Sequence, residues 1–210
     1  MSDGTLSAEM GSVERERLFE AILVELGERG YEGVSLERAL ARCGISDEEL
    51  GADLAGKDAC LFAAYDELTG RLIGHATAAC DAEAEWPERI RAGLQRVLEE
   101  LAAQPEMARA MARSFPAIRP AAYRRHLAFL EAFTPFLREG REFPQTAPQL
   151  PAEVEMLAVG AAETIVVEEI DAGRAKQLPS MLPSILFSLL VPFLGPDAAW
   201  AAMLSAQARL

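Results

Sequence analysis

The stretch SLERALARCGISDEELGADLAGKDACLF, residues 35–62, decides the fold. Ser35 is a favourable N-cap for a first short helix, because its hydroxyl can accept a hydrogen bond from a free backbone N–H of the first turn. Gly44 supplies a tight turn, since glycine adopts left-handed backbone conformations without strain. Ser46 then caps a second short helix. Two helices joined by a short turn that contains glycine have helix-turn-helix spacing, so the pattern predicts a DNA-reading head.

The charge of this head is opposite to that of most nucleic-acid-binding surfaces. Residues 1–70 contain 16 Asp and Glu but only 6 Lys and Arg, so they carry a formal charge of −10 out of −13 for the whole chain. Asp47, Glu48 and Glu49 follow the turn, where phosphates would approach. Acids in a first turn favour the helix dipole, which explains one or two of them. A nucleic-acid-binding domain is normally the basic part of its chain, so any DNA binding is predicted to be weak and strongly salt-dependent.

The rest of the chain is predicted to be almost entirely helical. Apolar residues recur at helical spacing, no stretch of strand length alternates between apolar and polar residues, and Ala, Leu, Glu and Arg are abundant. The predicted fold class is all-α, with a three-helix head followed by a larger helical domain. We expect a flexible tail over residues 1–12, the helix-turn-helix domain over 13–56 and the larger domain over 57–210. Helices are predicted at residues 13–29, 35–43, 46 onward, 57–80, 86–103, 105–114, 121–139, 151–171, 179–194 and 196 onward.

The composition predicts a cytoplasmic protein that does not contact a membrane. The N-terminal segment MSDGTLSAEM is polar and lacks a secretory signal pattern. The longest apolar run, Ile185–Leu194, is interrupted by Ser188 and Pro192 and is too short to span a bilayer. Three cysteines, an odd number, argue against a disulfide scaffold and are typical of a reducing compartment. The isoelectric point near 4.7 disfavours attraction to anionic surfaces.

Motifs for catalysis or for metal and cofactor binding are absent from the sequence. His75 and His126 are the only histidines, and neither has a Cys or a carboxylate at metal-ligand spacing. The sequence contains no G-x-S-x-G elbow, no P-loop and no dinucleotide-binding glycine pattern. We therefore expect a protein that is not an enzyme and that has no metal and no cofactor.

The middle of the chain combines apolar side chains at helical spacing with a few polar ones. This set has two interpretations: plain hydrophobic core, or the wall of a pocket for a small hydrophobic effector. Ligand pockets are mostly apolar with a few polar groups that orient the ligand, and methionines suit an adaptable wall. Under the second interpretation, the candidate ligand-binding residues are Met107, Met111, Phe115, Tyr123, His126, Phe129, Phe133 and Glu163.

Both ends of the chain carry a recognisable pattern. Over residues 13–65 the matching positions, without gaps, are Glu28-Arg29-Gly30-Tyr31-Glu32-Gly33, Ser35, Ala41, Cys43-Gly44-Ile45-Ser46, Leu50, Leu54, Lys57 and Leu61. Near the C-terminus they are Asp171-Ala172-Gly173-Arg174, Leu178-Pro179 and Pro192-Phe193-Leu194-Gly195-Pro196. In these features the chain resembles the TetR family of bacterial one-component transcriptional regulators.

The resemblance implies an all-helical homodimer with two small DNA-binding heads below larger effector-binding domains. The dimer would form through helices 151–171 and 179–194, and a small hydrophobic effector would change the spacing of the heads and release operator DNA. The chain departs from the family pattern at Gly51, where a phosphate-contacting Tyr is usual, and at Asp53, where His or Asn is common. The positions that the resemblance assigns to DNA contact are Ser35, Arg42, Ser46, Asp47, Glu48, Glu49, Gly51, Ala52 and Lys57.

The acidic head leaves two further interpretations open. The chain could be a dimeric sensor or protein-interaction module that has kept the scaffold but lost DNA binding, with its acidic heads facing a basic protein. It could also be a simple ligand-sequestering protein, which would need a pocket but no macromolecular partner.

Overall fold

The computed structural model describes residues 11–46, 49–50, 54–143 and 150–209, and in these residues the chain is all-α with no β-strand. The prediction of an all-α fold is therefore confirmed. The helices are α1 (Ser12–Gly33), α2 (Leu36–Cys43), α3 (Lys57–Asp81), α4 (Trp86–Ala103), α5 (Pro105–Arg109), a π-helix (Ala110–Ser114), α6 (Pro120–Glu131), α7 (Thr134–Arg138), a 3-10 helix (Glu139–Glu142), α8 (Val154–Asp171), a second 3-10 helix (Ala175–Met181), α9 (Leu182–Leu194) and α10 (Pro196–Gln207).

The helix ends of the head follow the local signals in the sequence. Gly30 has a non-helical backbone with φ of +66°, so α1 is interrupted at the predicted stop and continues for three more residues. The Ser35 hydroxyl accepts a hydrogen bond from the Arg38 N–H at 3.1 Å, as expected of an N-cap. Gly44 has a φ of +70° in the left-handed region, which allows the tight turn after α2.

The predicted reading helix from residue 46 onward is not α-helical at the residues that the structure describes there, since Glu49 lies in a turn, Leu50 in a bend and Leu54 in a 3-10 turn. The Glu49 carboxylate accepts hydrogen bonds from the backbone N–H and the hydroxyl of Ser46, at 2.7 and 2.8 Å, which is the predicted cap contact. Asp47, Glu48 and residues 51–53 lie outside the described residues, as do residues 1–10 of the predicted tail.

The head is packed tightly on the rest of the protein. A Cβ built on Gly27 of α1 would lie 2.1 Å from the Glu106 carbonyl oxygen of α5, so only glycine permits this approach. The buried cluster that contains Leu18 and Leu26 of α1 also contains Met111 and Phe115, beyond α5. The hydrophobic core of the head therefore continues into the following helices, and the domain boundary at residue 56 stays a prediction.

A second buried cluster fills the larger part of the molecule, where α4 packs against α3, α9 and the second 3-10 helix. Leu98, Leu178 and Phe193 are among its fully buried members.

The helical stretch Ala175–Leu194 has 20 residues and a mean hydropathy of 1.6, which is long and apolar enough to cross a membrane. The run Ile185–Leu194 is too short to span a bilayer, but the helical stretch that contains it is longer than the sequence prediction allowed. Because most of α9 is buried among other helices, we interpret this stretch as a core helix.

The predicted single helix over residues 121–139 is wrong. The structure divides it into α6, α7 and the first 3-10 helix. Pro135 lies in the first turn of α7 and has no N–H to donate, which removes a helical hydrogen bond and favours a break between α6 and α7. The Phe133 N–H donates to Leu130 and the Phe136 N–H to Phe133, which are tighter contacts that turn the chain at this point.

Three other predicted helices differ in part from the observed ones. The segment 105–114 changes from α5 to a π-helix, which closes with a 2.8 Å hydrogen bond from the Phe115 N–H to the Ala110 carbonyl. The helix predicted at residue 151 begins at Val154, and the one predicted at residue 179 becomes α-helical at Leu182.

Candidate functional sites

An apolar cavity of about 150 Å³ lies in the larger part of the molecule. Side chains from α3, α4, the π-helix, α6, α7, α8 and α9 enclose it. Nearly all of them are aliphatic, aromatic or methionine side chains. The lining residues are Leu72, Ala76, Cys80, Ile90, Gly93, Leu94, Val97, Leu98, Leu101, Met111, Ala112, His126, Phe129, Leu130, Phe133, Phe136, Leu137, Val159, Ala162, Glu163, Val166 and Leu189.

A short chain of hydrogen bonds forms the polar side of this cavity. The Tyr65 hydroxyl lies 2.8 Å from Nδ1 of His126, and Nε2 of the same ring lies 2.5 Å from Oε1 of Glu163. Burial, with additional effects of the Glu163 and Asp66 carboxylates, raises the pKa of Tyr65, so its hydroxyl stays protonated. An ionised carboxylate can only accept, so Nε2–H of His126 donates to Glu163, and the imidazole ring bridges the Tyr65 hydroxyl and the Glu163 carboxylate.

The structure brings together five of the eight predicted ligand-binding residues. Met111, His126, Phe129, Phe133 and Glu163 all line the cavity, although they come from the π-helix, α6, α8 and the turn before α7.

The other three predicted ligand-binding residues do not line this cavity. Met107 faces a neighbouring cavity. Phe115 is fully buried and stacks on Tyr65 with ring centroids 3.8 Å apart. It therefore packs against the tyrosine that is hydrogen-bonded to His126. Tyr123 points outward and is 51% exposed.

Sequence reasoning missed the cavity residues of α3 and α4. Leu72, Ala76, Leu94 and Val97 recur at ordinary helical core spacing. The same spacing is found in helices that pack without a cavity, so no local signal could have identified them.

The neighbouring cavity has a different chemistry. It has a volume of about 260 Å³ and shares the wall formed by Leu72, Leu101 and Met111 with the apolar cavity. Its basic side chains already face carboxylates of the protein. Arg71 contacts Glu16 and Glu20, whereas His75 and Arg96 lie 2.7 and 2.6 Å from Glu100.

A buried carboxylate organises the arginines of the head. Glu25 of α1 is almost fully buried, and its oxygens lie 3.3 Å from Arg29, 2.8 Å from Arg38 and 3.3 Å from Arg42. Burial alone would raise the pKa of Glu25, but hydrogen bonding and attraction from the arginines, Arg38 foremost, hold this pKa below its ordinary value. The three arginine side chains remain about half exposed, so the head presents a surface cluster of guanidinium groups around one hidden negative charge.

The other predicted DNA-contact residues are also engaged within the protein. Lys57 donates to the Tyr31 carbonyl at 3.0 Å and lies 4.0 Å from the centroid of the Tyr31 ring. The Ser35 hydroxyl caps α2 and donates to Glu37 at 2.6 Å, and Ser46 is held by Glu49. Asp47, Glu48, Gly51 and Ala52 lie outside the described residues.

A polar contact links the head to the start of α6. The Tyr31 hydroxyl donates to Asp58 at 2.7 Å, and Arg119 donates to the Tyr31 hydroxyl at 3.0 Å and to Asp58 at 2.6 Å. Arg119 immediately precedes α6, the helix that carries His126 into the apolar cavity. The same helix thus contacts the head at one end and the cavity near the other.

The predicted dimer helices differ in what they expose. On α8, Leu157 is 65% exposed and lies on the same helix face as the exposed residues Ala161 and Thr164. Most of α9 is buried, and α10 packs extensively against it. The exposed large apolar side chains in this part of the protein are Leu157 of α8 and Trp200 and Leu204 of α10.

Comparisons with known proteins identify a fold. No family model matches the chain, and no curated protein matches it in sequence. Among solved structures, the chain is similar to the fatty acid degradation regulator FadR from Bacillus halodurans, with a TM-score of 0.75 and 15% sequence identity over 83% of this chain and 97% of that chain. At this identity the likeness shows that the two proteins share an all-α fold.

Proposed function

We propose that this chain is a TetR-like one-component transcriptional regulator that acts as a homodimer in the cytoplasm. A small apolar effector would enter the cavity and relieve its binding to operator DNA. The observation that carries this proposal is a head, formed by α1, α2 and the turn at Gly44, whose core continues into a helical body with an apolar cavity. The fold shared with a protein described as a regulator of fatty acid degradation is consistent with it.

The contact at Arg119 supports communication between cavity and head. An effector that displaces His126 would move α6, and Arg119 at the start of this helix would carry the movement to Asp58 and Tyr31. An effector shifts the DNA-binding equilibrium only if it interacts differently with the two states, and displacement of His126 from Tyr65 and Glu163 would be such a difference.

The arginine cluster around Glu25 supports DNA contact. Arg29, Arg38 and Arg42 are half exposed, and each guanidinium has five N–H donors, more than its contact with Glu25 uses. The cluster adjoins Ser35 at the start of α2. Phosphate contacts from these arginines would offset part of the repulsion from the acids of the head.

The proposed dimer places a second copy of the chain against α8 and the neighbouring surface of α9 and α10. Leu157 and the small residues around it would pack closely across a two-fold axis.

A dimeric sensor or protein-interaction module that no longer binds DNA is the second candidate. The charge of the head favours it: five of the six cations of residues 1–70 contact groups within the protein, and acids outnumber cations there. The acidic head would then bind a basic protein surface.

A selection experiment separates the two candidates. The purified protein, shown to be folded and dimeric, is incubated with sheared genomic DNA of its own organism at low salt, and the affinity of any enriched DNA is followed as salt rises. An enriched palindromic site supports the regulator, whereas no enrichment at the lowest salt supports the interaction module. A Gly51→Tyr/Asp53→His variant adds a second arm: DNA binding that appears only in this variant would mean that the missing contacts limit the natural head.

A further inference from the structure

We infer that the apolar cavity selects a ligand with one hydrogen-bond donor, a hydroxyl or a protonated amine, on an otherwise apolar skeleton. The cavity excludes ligands that carry a free carboxylate. The inference rests on the proposed function only insofar as the cavity must bind an effector. It defines the chemical class of that effector from the polar side chains of the cavity.

The polar side-chain groups of the cavity are few. Among its described lining residues, only His126, Glu163 and the weakly polar Cys80 carry them, and none is Lys or Arg. A ligand carboxylate would therefore find no Lys or Arg in the wall, and the one basic side chain there, His126, already faces the Glu163 carboxylate.

The imidazole of His126 has no donor left for a ligand. Tyr65 occupies Nδ1 and Glu163 occupies Nε2, and His126 itself is buried. Each ring nitrogen forms one hydrogen bond, so both are used within the protein. The Tyr65 hydroxyl lies against the same ring nitrogen and is engaged there.

Glu163 keeps capacity to accept hydrogen bonds. A carboxylate offers about four lone-pair sites, and the hydrogen bond from His126 is the one that the described residues supply. The side chain is 27% exposed and lines the cavity, so a ligand can reach it. An acceptor of this kind binds a hydroxyl or an ammonium group and repels a second carboxylate.

The neighbouring cavity does not reverse this preference. Its Arg71, His75 and Arg96 are each paired with carboxylates of the protein, and the wall of Leu72, Leu101 and Met111 separates them from the apolar cavity. A ligand anion would have to cross that wall and displace an existing ion pair.

Four probes with one skeleton test the inference. An apolar cavity of about 150 Å³ is known to bind benzene, so benzylammonium, benzyl alcohol, toluene and benzoate are suitable in size. Calorimetric titration of the full-length protein is expected to give benzylammonium and benzyl alcohol dissociation constants at least about tenfold below that of benzoate. Benzyl alcohol is also expected to bind more tightly than toluene.

Two variants with the same change of charge identify the residue responsible. Glu163→Gln removes the charge in the cavity, and Glu168→Gln removes an exposed charge from the same helix, α8. We expect Glu163→Gln to weaken benzylammonium binding by about tenfold and to bring benzoate close to benzylammonium. We expect Glu168→Gln to bind all four probes as the wild type does.

Several results would overturn the inference. For the wild type, these are benzoate binding as tightly as benzylammonium, toluene binding as tightly as benzyl alcohol, or no binding of any probe to the folded protein. For the variants, they are an unchanged preference of Glu163→Gln for benzylammonium over benzoate, or a loss of benzylammonium affinity in Glu168→Gln equal to that in Glu163→Gln. The regulator proposal can fail separately. A protein that binds benzylammonium but enriches no DNA overturns only the regulator, whereas one that selects a DNA site but prefers benzoate overturns only this inference.

Discussion

Arg38 of α2 donates two hydrogen bonds to one oxygen of the buried Glu25 of α1, from Nε at 3.1 Å and from Nη2 at 2.8 Å. The same guanidinium also contacts the Gly33 carbonyl near the end of α1. This contact sets the position of the first helix of the helix-turn-helix against α1. Arg29 and Arg42 lie near the same carboxylate, so one buried residue pairs with three arginines from α1 and α2.

Replacement of Glu25 by Gln is expected to destabilise the protein. The amide keeps one oxygen acceptor but loses the charge that balances three guanidinium groups, so the free energy of unfolding should fall by about 2 kcal/mol or more. Urea denaturation at neutral pH measures this change. Glu28→Gln, an exposed change on the same helix, is the matched control and should stay within about 0.5 kcal/mol of the wild type. An equally stable Glu25→Gln variant would show that the cluster does not hold the head together.

The contribution of Glu25 to stability should depend on pH in the acidic range. Its pKa lies below the ordinary value of 4.5, so the folded state favours the ionised carboxylate. The stabilisation is therefore fully present above the pKa of the unfolded chain and is lost as pH falls through the lower pKa of the folded protein. The difference in unfolding free energy between wild type and Glu25→Gln should be constant from about pH 7 to pH 5 and should shrink below about pH 4.5. A difference that grows on acidification would contradict this assignment.

Gly27→Ala is expected to separate the head from the larger part of the molecule. The added Cβ would meet the Glu106 carbonyl oxygen at 2.1 Å, and a backbone atom cannot rotate away. We expect a loss of about 1–3 kcal/mol in unfolding free energy. Gly70→Ala in α3 is the control, because nothing lies within 4 Å of its Cβ. Removal of a glycine from the interior of α3 should stabilise the protein by up to about 1 kcal/mol. If both variants lose stability equally, close packing at Gly27 is not the cause.

Arg119→Gln is expected to loosen the link between α6 and the head with little global loss of stability. The pair with Asp58 is about 40% exposed on both sides, so solvent screens it and its contribution to the global unfolding free energy should be small. The local effect should be larger: amide hydrogen exchange in the last turn of α1, residues 30–33, should become faster. Arg124→Gln, an exposed change in α6, should leave this exchange unchanged. Unchanged exchange in Arg119→Gln would remove the proposed path between cavity and head.

If the proposed dimer forms through α8, Leu157→Glu is expected to convert it to monomers. Leu157 is the most exposed large apolar residue of α8, and a charge there would be buried at a two-fold interface without a partner. Sedimentation velocity gives the oligomeric state directly. Val13→Glu, which changes an equally exposed apolar residue on the head, should leave the dimer intact. A dimeric Leu157→Glu variant would place the interface elsewhere.

The elements of this protein were predictable where the signal is local. Ser35, Gly44 and Lys57 mark helix ends by capping, by a left-handed backbone and by the start of a new apolar stripe, and the structure has helix ends at or beside all three. The break within residues 121–139 also has a local signal, Pro135. The apolar periodicity on either side of it nevertheless predicted one continuous helix. The π-helix at Ala110–Ser114 has no comparable local signal.

The polar residues of the cavity were predictable from the sequence, but their contacts were not. His126 and Glu163 were recognised as candidates because a polar residue among apolar ones stands out in any sequence. Their hydrogen bond to each other, and the role of Tyr65, could not be predicted, since 37 and 61 positions separate these pairs along the chain.

By itself, the sequence determined an all-α chain and the turn of an acidic head, because capping, backbone freedom and helical periodicity act over a few neighbouring residues. It left the apolar set in the middle of the chain open between plain core and pocket. Only the tertiary structure decided that Glu25 is buried beneath three arginines and that the helices enclose a cavity at His126 and Glu163. The physical reason is that burial and ion pairing depend on which helices lie side by side. That arrangement results from the packing of the whole core, and the same helical spacing is compatible with many such arrangements.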